Sequence, residues 1–255
     1  MKFGRKRPVA RGPRLSLKNY LTKSLPPAPA ACNYQRKARE TLQKMYGNDS
    51  LGDCVIAGMA HTVGVLTANA GDQLYYGPGE IVAMYSAIGG YVPGDPRTDN
   101  GCDEVTALNY WMEKGAPSGV HKIAGYLAVE PANVEEYRTA IWLFENLFFG
   151  LELPDEYVNP FPSGSGFVWS VAGDPDPNNG HCIVGCGYDS TGVAISTWGM
   201  TGLMSDAAVA KYCAASAGGA LYTVLSQDAI AKATLKAPNG FNFSQLKADF
   251  QAIGG

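Results

Sequence analysis

A polar, glycine-bearing loop, Gly47-Asn48-Asp49-Ser50-Leu51-Gly52-Asp53, stops at Cys54, and the residues after it are apolar at helical spacing. Gly52 permits a tight turn, Asp53 stands where a residue caps a first helical turn, and Cys54 opens the helix. The free N–H groups and macrodipole of a helix N-terminus favour a thiolate, the form in which cysteine is a nucleophile. The same position also suits a buried structural cysteine, the commoner fate of a free thiol.

Downstream, residues 54–69 read as a helix whose small residues Ala57, Gly58, Ala60 and Gly64 allow close packing. His61 lies seven residues past Cys54, roughly 10 Å along the axis, too far to exchange a proton with it, and reads as a packed histidine. A Gly- and Pro-rich loop, residues 89–103, precedes a helix carrying Val105, Leu108 and Trp111. Beyond Gly115 strands dominate: 123–129, 148–153, a hairpin of 181–188 and 193–198, and 220–225. Asn133 and Ser205 stand as helix caps, and Phe243, Leu246, Phe250 and Ile253 give the C-terminal segment an apolar docking face.

Charge is unevenly distributed. Residues 1–44 hold twelve Lys and Arg against the single acid Glu40, a net +11, so the remaining chain carries −14 of the total −3. Residues 1–31 add Pro8, Pro13, Pro26, Pro27 and Pro29, which favours an extended basic arm laid across an acidic surface, its own body's or a partner's. Phe3, Leu15, Leu17, Tyr20 and Leu21 are its apolar anchors. Few aromatic residues interleave these charges, which disfavours nucleic acid as the partner. No apolar run is long enough for a membrane span, and the N-terminus lacks the apolar core of a secretory signal. A cytoplasmic setting with six reduced cysteines follows as the expectation. No CxxC pair exists, and on a strand His181 points away from Cys182 and Cys186, so neither metal nor cofactor is expected.

A cysteine at a helix start and a histidine at the head of a strand hairpin, 127 residues apart, can meet only between two lobes. In this the chain resembles the papain-like cysteine peptidases. The resemblance rests on the Cys54 loop-to-helix, on Gly101-Cys102 ahead of a helix, on the tract from His181 to Gly187-Tyr188, and on Trp198-Gly199, in that order over residues 41–230. It extends to divergent papain-like proteins of bacteriophages and bacteria. It implies an α+β, two-lobed fold: a basic Pro-rich arm (1–40), a helical lobe with Cys54 (41–120), and a sheet-rich lobe with His181 (121–255). By position, Cys54 would be the nucleophile, His181 the base, and Asn48 the oxyanion-hole amide. Ser196 would stand in for the asparagine that orients the histidine, and Trp198 would shield the histidine from water. The family's Gly-Gly pair after Gly101-Cys102 is replaced by Glu104-Val105, which narrows and charges the groove. The partner expected for Cys102 is replaced by Leu51.

Two functions follow as expectations. One is a thiol hydrolase, peptidase or amidase, acting on a peptide or protein substrate. The other is a catalytically weak papain-fold assembly protein, such as a phage virion component, docking on an acidic partner through residues 1–31.

Overall fold

The computed structural model describes residues 1–8, 15–116 and 121–254, without the side chains of residues 253 and 254. Pro13 and the Ile253 side chain therefore lie outside the described residues. In chain order the elements are β1 (Cys32–Asn33), α1 (Arg39–Leu42), α2 (Cys54–Ala70), α3 (Pro78–Gly89), α4 (Glu104–Lys114), β2 (Gly125–Ala128), α5 (Val134–Phe144), β3 (Leu147–Glu152), α6 (Asp155–Val158), β4 (Phe167–Trp169), β5 (Gly180–Asp189), β6 (Gly192–Thr197), β7 (Met200–Met204), α7 (Asp206–Tyr212), β8 (Ala220–Leu225), α8 (Gln227–Lys236) and α9 (Phe243–Gly254).

The strands form one sheet in the order β2-β8-β3-β5-β6-β7-β4, with β1 also paired to β5. Pairing is antiparallel except between β4 and β7. Its centre, β3 and β5, is buried along nearly its whole length, as continuous apolar runs require. Strand alternation divides β5 between two cores: Cys182, Val184 and Cys186 pack with α2, and Ile183 packs with α5 and its neighbours. Gly58 brings α2 down onto the sheet, since a Cβ there would approach Cys182 Sγ and the Phe148 ring to 3.0 Å. That contact fixes the start of α2 against the start of β5.

The cap at Asn133 is present, its side chain accepting from the Glu136 N–H, and Ser205 caps α7 through Ala208. Asp53 occupies the N-cap position of α2 but makes no side-chain cap bond, contrary to the expectation. The first 31 residues divide in two. Leu17 and Tyr20 are buried in the sheet-lobe core, and Tyr20 lies against Phe241. Residues 2–7 instead run through the groove between α2, α4 and the sheet.

Candidate functional site

The site is built from four backbone features. Turns with positive φ at Tyr46 and Gly47 fold the loop back beneath the start of α2. Gly101, also at positive φ, turns the chain ahead of α4. Gly180 and His181 begin β5. Trp198-Gly199 joins β6 to β7 as a two-residue hairpin, with φ +50° and +67°. Such values at both central residues are those of a type I′ turn, whose twist matches the flanking strands. The turn delivers the Trp198 indole onto the His181 ring, stacked at a centroid distance of 4.3 Å.

Cys54 is buried, its thiol within hydrogen-bond reach of the backbones of Cys182 and Gly4. The nucleophile candidate thus adjoins the residue next to His181. Burial pushes the thiol up to about 12, with the nearby Asp53 and Glu104 charges acting in the same direction. The helix terminus does not produce a thiolate here, because burial of the sulfur disfavours its charged form. His181 is fully buried; its Nε2 pairs with Thr197 Oγ1 at 2.6 Å, and its Nδ1 has no partner among the described residues. Burial alone pushes this imidazole down to about 3. Both groups are therefore neutral in this state.

Ser196 is not the residue beside His181. Its hydroxyl donates to the Leu42 carbonyl, and alternation along β6 gives the adjacent Thr197 the histidine instead. The anchor Trp198 placed the expectation one residue early. Asn48 is buried at the groove, its Nδ2 donating to Lys2 O and Leu51 O, each at 3.1 Å. Burial pushes the adjacent Asp53 carboxyl up to about 8, since neither oxygen gains a well-formed hydrogen bond. Val105 turns into the helical-lobe core, so of the pair expected to narrow the groove only Glu104 reaches it.

The occupant of the groove is the chain's own N-terminus, a more specific place than the acidic surface expected for a basic arm. Lys2 N–H donates to Asn48 O, and Gly4 and Arg5 N–H both donate to Gly180 O. Cys102 N–H donates to Gly4 O and Lys6 N–H to Cys102 O, a parallel bridge centred on Arg5. Phe3 lies edge-on to His181 and Trp198. Three cations meet three acids: Lys2 on Asp99, Arg5 on Glu104, and Arg7 on Glu152. Burial pushes Asp99 up, but Lys2, the Tyr85 hydroxyl and the Gly52 N–H outweigh it and hold the carboxyl low. Cys54, His181 and Asn48 thus all face residues 2–4, and Ser196 stands apart. The signal for the occupant was the run of basic residues beginning at Lys2, set against Asp99 and Glu104 on either side of Gly101 and against Glu152.

No protein-family model matches this sequence, and no curated protein matches it. Solved structures do. The fold is similar to that of xylellain, a cysteine protease from Xylella fastidiosa (TM-score 0.65, 12% identity, 88% of this chain and 96% of the other). It is also similar to the ragweed pollen allergen Amb a 11, a cysteine protease in its proform (0.58, 12%, 80% and 67%). A third likeness is to the Carica candamarcensis cysteine protease CMS1MS2 in complex with E-64 (0.51, 14%, 78% and 99%). The chain has an α+β papain-like fold.

Proposed function

We propose that the chain is a thiol hydrolase, a peptidase or amidase, held latent by its own residues 2–7. The observation that carries this reading is that the groove already accommodates a peptide main chain. Backbone hydrogen bonds come from Cys102 and Gly180, the Asn48 amide sits on a carbonyl, and the Cys54 thiol lies against the strand. With the arm withdrawn, water returns to Cys54 and His181, and the burial that keeps both neutral is relieved. Cys54 passes its thiol proton to His181, and the resulting thiolate attacks a substrate carbonyl carbon, forming a C–S bond while the C=O π electrons move onto the oxygen. The Asn48 amide and the Cys54 N–H hold that oxygen. His181 gives its proton to the departing amine as the C–N bond breaks, then takes one from the water that hydrolyses the thioester. Thr197 fixes the ring that does this.

The arm is not itself set for cleavage. The carbonyl on Asn48 is that of Lys2, whereas the backbone at the thiol is that of Gly4. No single peptide bond offers its oxygen to Asn48 and its carbon to Cys54.

The test is the full-length Gly4→Leu variant. A Cβ on Gly4 would fall 1.8 Å from Gly52 O, so a side chain there expels the arm. Peptide hydrolysis should appear, or rise at least tenfold over the unchanged chain, and vanish with Cys54→Ser in the same background. An arm-released chain that alkylates at Cys54 but hydrolyses neither peptides nor amides would overturn the proposal. Of the cations expected to dock on a partner, Lys2, Arg5 and Arg7 are paired within the chain, which favours the latent-hydrolase reading over the assembly-protein one.

A further inference from the structure

Arg5 and Glu104 form a fully buried ion pair inside what would otherwise be a substrate groove. Arg5 Nε donates to Glu104 Oε1 and its Nη1 to Gly218 O, both at 2.6 Å. The two acceptors lie on different segments, so a guanidinium fork spans them where a single ammonium would not. The walls are backbone: a Cβ on Gly150 would come within 1.6 Å of Glu104 Oε1. Two residues on, Arg7 makes a bidentate pair with Glu152, whose carboxylate is nearly buried, and Gly218 borders this site as well. Glu104 Oε2 and Arg5 Nη2 are both buried with no partner, so the pair is joined by one hydrogen bond and the pocket has the donor and acceptor for a second to an arginine seated side-on.

The arm supplies the cation partner of each carboxylate, so a groove vacated by the arm presents Glu104 and Glu152 as two acids without a counter-charge, and an occupant that buries them again must bring one. We infer that the groove selects an extended basic peptide with arginine in the Glu104 pocket and a second basic residue, preferably arginine, two positions on. This rests on the hydrolase reading and names its substrate class; the arm occupies the groove by mimicking that class. Glu104, which in the sequence narrows and charges the groove, becomes its specificity determinant. The Arg5 pair is the discriminating one because both partners are dry, whereas Arg7 is largely exposed and its pair is correspondingly weaker.

The test scores protection of Cys54 from iodoacetamide, located by peptide mass spectrometry, and so requires no turnover. In the full-length chain, Arg5→Gln should raise the Cys54 alkylation rate at least tenfold, and Arg5→Lys should also raise it. The peptide Lys-Phe-Gly-Arg-Lys-Arg added to Arg5→Gln should restore protection. The same peptide with citrulline for its first arginine, equal in shape but uncharged, should protect at least tenfold less well; citrulline for the second should cost two- to fivefold. The peptide comparison is repeated in the Gly4→Leu chain, so that a poorly folding Arg5→Gln does not decide the matter. Wild-type alkylation rates in folded Arg5→Gln, or equal protection by arginine and citrulline peptides, overturn the inference. A chain that binds the arginine peptide selectively but hydrolyses nothing fails the hydrolase reading alone; one that hydrolyses without preference fails this inference alone.

Discussion

The hydroxyl on His181 Nε2 belongs to Thr197, and its removal isolates the orientation of the ring. In the arm-released chain, Thr197→Val should lower kcat about 10- to 100-fold with KM nearly unchanged, because the imidazole loses its orienting partner while the groove keeps its shape. Ser196→Ala, one residue away, should cost about 1 kcal/mol of stability through the lost bond to Leu42, with kcat within twofold. Steady-state kinetics and urea unfolding on the two variants check the pair. Asp53 gives a second test at this scale. Its folded carboxyl is raised to about 8 by burial, so the stability tied to its neutral form is full below about pH 4 and is lost as pH rises toward 8. Asp53→Asn should therefore stabilise the chain at pH 8 and leave it nearly unchanged at pH 4. An equal gain at both values would show that the carboxyl is not desolvated.

At the scale of elements, the N-terminal region is two things that its sequence presents as one. Prolines and like charges run through residues 1–31, yet residues 2–7 are a groove ligand, whereas Leu17 and Tyr20 belong to the core. An arm extended over residues 1–31 and separable as a unit does not fit this packing. Deleting residues 1–8 should leave the fold intact and release Cys54 to alkylation. Deleting residues 1–31 should cost several kcal/mol, as losing two fully buried large side chains does, and should show as a lowered Tm. The arm's own pairs differ in reach as well. Lys2 is half-exposed, Arg7 is largely exposed, and both are screened by salt, but the buried Arg5–Glu104 pair is not. Raising salt from 0.05 to 0.5 M should change the wild-type Cys54 alkylation rate less than threefold; a tenfold rise would move the arm's hold to its exposed charges.

At the scale of the whole molecule, two buried histidines set the acid limit. His181 and His61 are depressed to about 3 and about 4 by burial, although a bond between His61 Nε2 and the Lys44 carbonyl opposes the shift at His61. Each contributes stability that is full above about pH 6.5 and lost as pH falls toward its folded value, on the order of 2 kcal/mol per imidazole by pH 4.5. Urea midpoints at pH 7 and 4.5 should differ accordingly, and His61→Gln should shrink the difference. Local signals made much of the molecule legible in the sequence. The loop-to-helix junction at Cys54 set the start of α2, alternation separated His181 from Cys182, and Trp198-Gly199 marked the hairpin beside the histidine. Those features are covalent neighbours, and spacing along the chain fixes their geometry. Which hydroxyl meets His181 Nε2 was one residue beyond that resolution, because it depends on how β6 pairs with β5. What fills the groove was decided only by tertiary structure. Arg5 finds Glu104 across 99 residues and Gly218 across 213, distances at which sequence shows charge complementarity but no register. The protonation of Cys54 was likewise a tertiary matter: the helix start favours a thiolate, and exclusion of water by the arm reverses that preference.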